Sequence, residues 1–142
     1  NIKVEKELDP SLPKVFVDVG QIQQVLLNII LNAVEAMQDR GTLTIKTLHD
    51  AERKQVLLRI RDTGSGMTPQ VREKIFEPFF TTKPRGVGTG LGLSIAYGIM
   101  QRHKGDILVQ SAPGEGSEFT LVLPEGEEMV LADAELAGIT QS

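Results

Sequence analysis

Hydrophobic residues in the first third of the chain change from a period of two to a period near 3.6. The segment IKVEKEL, residues 2–8, alternates apolar and charged side chains, which predicts a half-exposed strand. Asp18 then has the position of a helix cap, and the apolar spacing predicts a helix from there to about Gln38 that Gly41 ends. The chain therefore opens with a strand and one long helix.

The remaining pattern predicts two hairpins and two further helices, separated by a loop rich in Gly, Pro and Thr. These elements are the strands 42–48 and 55–61, a short helix begun by Thr68 and Pro69, a helix from Gly90 to Lys104, and the strands 107–110 and 118–123. Their order favours an α+β fold, a two-layer α/β sandwich, over a wound parallel sheet.

Composition fits one globular core and excludes several classes of chemistry. Of the 142 residues, 40% are hydrophobic and 24% are charged, which are ordinary globular values. Cysteine is absent, so disulfides, thiolate metal sites and cysteine nucleophiles are excluded, and a reducing compartment is favoured. No apolar run approaches the roughly 20 residues of a membrane span. Because the chain begins at Asn1, we expect partner domains upstream.

Negative charge is concentrated at the C-terminus. The last 18 residues hold five acidic side chains and no Lys or Arg, so residues 1–124 carry a net charge of +1 while the whole chain carries −4. The first 124 residues show no basic stripe, which disfavours a nucleic-acid surface. We expect one domain over 1–124 and a solvated acidic tail or linker over 125–142.

One polar stripe runs along the long helix, which is otherwise mostly apolar. At 100° per residue its five members fall within about 80° of one another; they are Gln21, Gln24, Asn28, Asn32 and Glu35. A solvated edge is one interpretation, but such an edge usually carries Lys, Glu or Arg, which form helices better than Asn. Carboxamide oxygens are neutral ligands that suit Mg²⁺ when phosphates supply most of its other oxygens.

Two glycine-rich segments suggest ligand contact. Asp62 ends a strand and is followed by Gly64 and Gly66; this pattern fits a simple turn or a carboxylate that accepts a hydrogen bond from an amine-bearing ligand such as adenine. The second segment, GVGTGLG, precedes a helix but fits neither the P-loop nor the dinucleotide spacing. Its N–H groups and the helix N-terminus suit phosphate. Lys83 and Arg85 are either solvated loop residues or added positive charge.

Together these segments resemble the ATP-binding catalytic domain of bacterial sensor histidine kinases. That catalytic domain belongs to a wider superfamily that also includes type II topoisomerases, a heat-shock chaperone and mismatch-repair ATPases. The resemblance covers about residues 2–124 and rests on five motifs: QQVLLNIILNAVEAM (N box), RDTGSGM (first glycine box), IFEPFFTTK (F box), GTGLGLSIAYGI (second glycine box) and PGEGSEFTLVLP (terminal hairpin). It implies the Bergerat ATP-binding fold, a mixed sheet of about five strands backed by three helices, with a mobile lid.

The resemblance also implies site residues. Asn28, Asn32 and Lys83 are the expected catalytic residues, with Asn32 as the Mg²⁺ ligand. Two departures, Glu35 and Thr81, stand where many members carry basic residues and resemble the subgroup related to nitrogen-regulation kinases; Lys83 then supplies the charge, and Glu35 holds a metal-bound water. The other expected ATP contacts are Asp62, Gly64, Gly66, Met67, Ile75, Phe80, Gly88, Thr89, Gly90, Leu91, Gly92 and, through water, Ser117.

The implied function is to bind Mg-ATP and present its γ-phosphate to a histidine on a separate dimerisation domain, with a response regulator as a further partner. We expect a monomeric, cytoplasmic domain without nucleic-acid or direct membrane contact, whose parent protein is either soluble or membrane-bound. His49 lies in a predicted turn, and His103 is expected as a helix-end cation or surface residue, so neither is the expected acceptor. The alternatives are a stand-alone ATPase, which needs a Glu where Asn28 stands, and a serine kinase that regulates a sigma factor.

Overall fold

The strands and helices follow one another along the chain in the predicted order. The computed structural model describes residues 1–38, 40–81 and 91–126. Its elements are β1 (Ile2–Glu7), α1 (Val19–Met37), β2 (Gly41–Asp50), β3 (Gln55–Asp62), α2 (Pro69–Lys74), α3 (Gly92–Arg102), β4 (Asp106–Ser111) and β5 (Ser117–Pro124). The described residues thus form a mixed five-stranded sheet with three helices, which confirms the predicted α+β fold.

The sheet order is β1-β2-β3-β5-β4, and its one parallel pair is β1 with β2. This pairing is parallel because α1 carries the chain back across the sheet, whereas β2–β3 and β4–β5 are hairpins. The two hairpins meet through the antiparallel pair of β3 and β5. The ends of β3, β4 and β5 that hold Asp62, Ser111 and Ser117 consequently lie side by side.

The hydrophobic core lies between the sheet and the pair α1 and α3. In α1 the fully buried residues recur at every fourth position; they are Val25, Ile29, Ala33 and Met37. In α3 they are Ala96, Ile99 and Met100, and the sheet adds Ile60, Phe119 and Leu121. Burying a side chain such as Ile29 contributes about 2 kcal/mol. No helix in the described part of the chain combines the length and hydropathy needed to cross a membrane.

The first strand is more exposed than its alternation predicts. Val4 is 52% exposed and Leu8, just beyond β1, is 56% exposed, so only Ile2 packs against the core. Val4 is in register with Leu43, which is buried, and both side chains point to the same face. The difference arises because β1 is the edge strand farthest from α3, and helices do not cover it as they cover β2.

The start of α1 has the predicted cap and its end lies at the predicted position near Gln38, but Gly41 is not the residue that caps it. The Asp18 carboxylate accepts the Gln21 N–H at 3.0 Å, as the cap spacing predicts. At the other end Gln38, not Gly41, takes the left-handed conformation and donates its N–H to the carbonyl of Val34. Gly41 instead begins β2, where a Cβ would lie 2.5 Å from Thr63 Oγ1. Glycine is required there by close packing and not by the helix stop.

His103 connects the end of α3 to the start of α1. Its Nδ1 lies 2.9 Å from the carbonyl oxygen of Ile99, and its Nε2 lies 3.0 Å from the N–H of Asp18. A carbonyl only accepts and an N–H only donates, so in these contacts Nδ1 donates to Ile99 and Nε2 accepts from Asp18. The ring thereby joins the C-terminal end of α3 to the N-terminal end of α1.

Contacts with the folded body continue past residue 124. Gly126 donates its N–H to the Lys14 carbonyl, and Glu125 pairs with His49 at 2.6 Å. The rest of the predicted acidic tail, residues 127–142, lies outside the described residues, so its separation from the domain stays a prediction.

Two glycines of the β4–β5 turn offer a test of the packing. Gly116 (φ +73°) would place a Cβ 2.1 Å from the Asp62 carbonyl oxygen, whereas Gly114 (φ +78°) has nothing within 4 Å. We expect Gly114→Ala to cost about 1–2 kcal/mol from its left-handed backbone. Gly116→Ala should cost about 3 kcal/mol or more, because overpacking adds to the same penalty. Urea unfolding measures both, and equal losses would contradict the packing argument.

Candidate functional site

A row of polar side chains crosses the sheet at the end of β3. Asp62 pairs in register with Ser117 of β5, and Ser117 pairs with Ser111 of β4. Asp62 is 1% exposed and Ser117 is 6% exposed, although both residue types are usually found at the surface. Buried polar groups are retained where they are hydrogen-bonded, so this row is built around specific contacts.

The carboxyl of Asp62 is held by backbone amides. Its Oδ1 accepts the Gly64 N–H at 2.8 Å. Burial raises the pKa of Asp62 above its ordinary value of 3.8, and hydrogen bonds from the amides of Gly64 and Ser117 together with the charge of Arg61 partly offset that increase. Asp62 is therefore a hydrogen-bond acceptor at the end of β3, where the sequence places it, and the structure adds that it is buried.

The loop after Asp62 is wedged between α1 and the β4–β5 turn. A Cβ on Gly64 would lie 2.7 Å from the backbone of Ala36, and a Cβ on Gly66 would lie 1.9 Å from the Ala112 carbonyl oxygen. Ser65 donates its N–H to Ala36 and accepts the N–H of Gly114. Both glycines are therefore required for packing against protein atoms, whatever ligand wall they also shape.

Asn28 joins the polar stripe of α1 to the beginning of α3. Its Nδ2 donates to the Gly92 carbonyl at 2.9 Å, while its Oδ1 accepts from Gln24 Nε2 at 2.8 Å. Gln24, one turn earlier, thus fixes the orientation of the Asn28 carboxamide, and the motif comparison does not single it out. Its spacing of four residues from Asn28 on the stripe is the signal that identifies it.

Asn32 and Glu35 continue the same face of α1. Asn32 is partly buried and Glu35 is exposed. Among the described residues there is no group of three or more His, Cys, Asp and Glu that would hold a metal ion. The neutral amide oxygen of Asn32 is a suitable single protein ligand for Mg²⁺ that takes its other oxygens from phosphate and water.

The N-terminus of α3 has no side-chain cap. Leu91 is the N-cap residue and makes no side-chain hydrogen bond to the helix, and Gly92 follows as an exposed first residue. A helix N-terminus of this kind suits a phosphate group. The expected neighbours Lys83, Gly88, Thr89 and Gly90 lie outside the described residues.

The expected apolar contacts belong to the core or its margin. Ile75 is 6% exposed within the core cluster, and Met67 and Phe80 pack against that cluster. Phe76 stacks on Tyr97 with ring centroids 5.0 Å apart. The side chain of Phe79 is 73% exposed and is not part of the core cluster.

Ser111 is the functional candidate that the sequence patterns miss most clearly. Its Oγ contacts the N–H of Met67, the carbonyl of Gly116 and the hydroxyl of Ser117. Arg72 also donates to the Ser111 carbonyl at 2.9 Å. The sequence shows only that Ser111 begins the turn SAPGEGS, since its partners are set by strand register.

Residues 17–127 match the family described as the histidine kinase-, DNA gyrase B- and HSP90-like ATPase. The chain belongs to this ATP-binding ATPase family. The resemblance of the five motifs to this superfamily is thereby confirmed.

Several sensor kinases are similar to this member of the family. The histidine-protein kinase AtoS of Escherichia coli (strain K12) is 46% identical over 118 residues, which cover 83% of this chain and 19% of AtoS. Sporulation kinase E of Bacillus subtilis (strain 168) is 38% identical over 87% of this chain and 16% of its own length. The sensory histidine kinase/phosphatase NtrB of Vibrio alginolyticus is 37% identical over a region that covers 87% of this chain and 37% of NtrB. The chain thus spans well under half the length of these relatives.

Solved structures share the fold. The mycobacterial sensor histidine kinase MprB superimposes with a TM-score of 0.75 at 29% identity, covering 87% of this chain and 81% of that one. Full-length ShkA, solved in complex with AMPPNP, gives a TM-score of 0.76 at 31% identity and covers 87% and 25%. This ATPase domain therefore has the fold of histidine kinase catalytic domains.

The buried carboxyl predicts a pH-dependent stability. Because the folded state raises the pKa of Asp62, the ionisation penalty is absent below about pH 4, grows as pH rises from there towards the raised pKa, and is constant above it. Asp62→Asn does not titrate, so the free energy of unfolding of the unmodified domain minus that of the variant should fall as pH rises above about 4 and then level off. Its slope is at most about 1.4 kcal/mol per pH unit. Urea unfolding over this range measures the difference, and an increase with pH would place the folded pKa below 3.8 instead.

Proposed function

We propose that this domain binds ATP with Mg²⁺ and presents the γ-phosphate to a histidine on a separate dimerisation domain of a sensor histidine kinase. Family membership and the names of the similar kinases support this proposal. The observation that carries it is the arrangement along α1: Ala36 touches the loop after Asp62, and Asn28 touches the start of α3. These positions are eight residues, or about 12 Å, apart along the helix. A ligand with an amine at one end and phosphates at the other suits that span.

At the base end, Asp62 accepts a hydrogen bond from the adenine amino group, and Ser117 lies beside it on β5. The carboxyl is already oriented by the N–H of Gly64, so it needs little rearrangement to bind. Gly64 and Gly66 keep the loop close against α1 and the β4–β5 turn. This end therefore recognises the base and not the number of phosphates.

At the phosphate end, the N-terminal amides of α3 donate to phosphate oxygens, with Gly88, Thr89 and Gly90 as proposed further donors. Asn28 fixes the position of this helix end through the Gly92 carbonyl. Asn32 holds the Mg²⁺, Glu35 orients a water beside it, and Lys83 adds positive charge. When bound, Mg²⁺ neutralises phosphate charge during transfer.

Phosphoryl transfer depends mainly on positioning and charge neutralisation, so the acceptor can be supplied by another domain. The two histidines of this chain have structural contacts: His49 with Glu125, and His103 with Ile99 and Asp18. The proposal therefore assigns the acceptor to a dimerisation domain and the next phosphoryl recipient to a response regulator. It places this domain in the cytoplasm, where ATP is available.

A stand-alone ATPase is less well supported. Activating water requires a general base, and the carboxamide of Asn28 cannot take a proton as Glu would. The serine-kinase alternative gains no support from the similar proteins, whose names describe sensor kinases.

The adenine role of Asp62 predicts a phosphate-independent loss of affinity. Asp62→Asn should weaken ATP and ADP binding alike, by about 10- to 100-fold, because a hydrogen bond to a charged acceptor is lost. Isothermal titration calorimetry measures both constants. Asp50→Asn is the matched control, since Asp50 accepts the Arg53 N–H at the opposite end of the β2–β3 hairpin. A loss confined to ATP would refute the assignment.

The metal role of Asn32 predicts a loss of the Mg²⁺ response. In Asn32→Ala, ATP affinity should be the same with and without Mg²⁺, because the protein ligand to the ion is missing. The measurement is ATP titration at several Mg²⁺ concentrations. Gln23→Ala, an exposed change on α1 outside the polar stripe, is the control and should keep the response. A normal Mg²⁺ dependence in Asn32→Ala would remove this residue from the metal site.

A further inference from the structure

The hydroxyl of Ser111 is the junction of three segments around the row that contains Asp62. Its Oγ lies 2.8 Å from the Met67 N–H, 2.9 Å from the Gly116 carbonyl oxygen and 2.8 Å from Ser117 Oγ. Ser111 ends β4, and its carbonyl accepts a hydrogen bond from Arg72 of α2. The position of this hydroxyl is therefore fixed by its own three contacts and by the hydrogen bond from Arg72 to the Ser111 backbone.

The three contacts determine where each hydrogen lies. A hydroxyl has one hydrogen and two lone pairs. The Met67 N–H can only donate, so Ser111 accepts there with one lone pair. The Gly116 carbonyl can only accept, so Ser111 uses its only hydrogen for that bond. The contact with Ser117 is then necessarily donated by Ser117, into the second lone pair of Ser111.

Ser117 consequently has its hydroxyl hydrogen directed at Ser111 and presents only lone pairs to anything else. On the adjacent strand, in register with Ser117, the carboxylate of Asp62 is also an acceptor. Two acceptors lie next to each other at this end of the sheet. The 6-amino group of a purine can donate two hydrogens, directly or through a water, whereas a 6-carbonyl donates none and leaves N1–H as the single donor on that edge.

We propose that Ser111 is a positioning residue that holds the Ser117 hydroxyl as an acceptor, and that it thereby increases the preference of the site for a 6-amino purine over a 6-oxo purine. This inference rests on the proposed nucleotide-binding function. It assigns Ser111 no contact with the nucleotide itself.

A purely structural role for Ser111 would affect nucleotide affinities differently from the proposed positioning role. Loss of the Met67 contact would loosen the loop and weaken all purine nucleotides by the same factor. Loss of the Ser117 contact frees that hydroxyl to rotate and donate to a carbonyl, which changes the ratio of two affinities. The ratio of the dissociation constants of ITP and ATP therefore separates the two roles.

The experiment is a double-mutant cycle on that ratio, with ATP and ITP titrated calorimetrically into the unmodified domain, Ser111→Ala, Ser117→Ala and the double variant. ITP has a carbonyl in place of the amino group and a hydrogen on N1. We expect each single variant to lower the preference for ATP by about tenfold. The double variant should lower it no further than Ser117→Ala, because both changes remove one interaction.

The control is Ser11→Ala, since the Ser11 hydroxyl contacts Asp9 in a surface loop, and it should leave the ratio unchanged. Circular dichroism checks that each variant is folded. If Ser111→Ala is unfolded, Ser111→Cys gives the same comparison, because a thiol is only a weak hydrogen-bonding group.

An unchanged ratio in a folded Ser111 variant, or effects that multiply in the double variant, would overturn this inference while leaving nucleotide binding in place. Equal affinity of the unmodified domain for ATP and ITP would overturn it as well. Absence of binding to either nucleotide by the unmodified domain would overturn the proposed function together with the inference.

Discussion

The burial of one carboxyl group, that of Asp62, is the constraint on which the site depends. A buried charge is costly unless hydrogen bonds replace its hydration. The N–H groups of Gly64 and Ser117 provide this replacement, and they reach the carboxyl because the loop turns sharply after β3 and β5 pairs in register beside it. The glycines of that loop and of the β4–β5 turn thus allow the close backbone packing that brings these N–H groups to the buried carboxyl.

The long helix α1 links this carboxyl to the rest of the site. Its buried face packs against the sheet, and its polar stripe reaches the loop after Asp62 at Ala36 and the start of α3 at Asn28. His103 joins the C-terminal end of α3 to the N-terminal end of α1. The loop after Asp62 and the start of α3 are consequently both positioned by α1. A tilt of α1 would therefore displace both ends of the candidate site together.

Local patterns in the sequence predict the order of the elements and several residues of the candidate site. The polar stripe, the Asp18 cap and the position of Asp62 at a strand end follow from residues close together in the chain, and the order of elements follows from hydrophobic periodicity. The exposure of Val4 was not accessible in this way, since alternation does not reveal that a strand lies at the edge. Ser111 was missed because its partners come from strand pairing and from a distant loop. The predicted end of α1 near Gln38 agrees with the structure, but Gly41 is not its cap, because the absent side chain of Gly41 serves packing against Thr63.

The charges of β1 also matter for solubility. In this edge strand Lys3, Glu5 and Glu7 lie on the face of the sheet opposite to Val4. There Lys3 pairs with Glu5, and Glu7 pairs with Lys46 of β2. An exposed strand edge is a template for intermolecular pairing, and charged side chains are a common protection against it. A second sheet that docked along β1 would have to dehydrate these ammonium and carboxylate groups. The same alternation that opens the chain therefore works against aggregation through this edge.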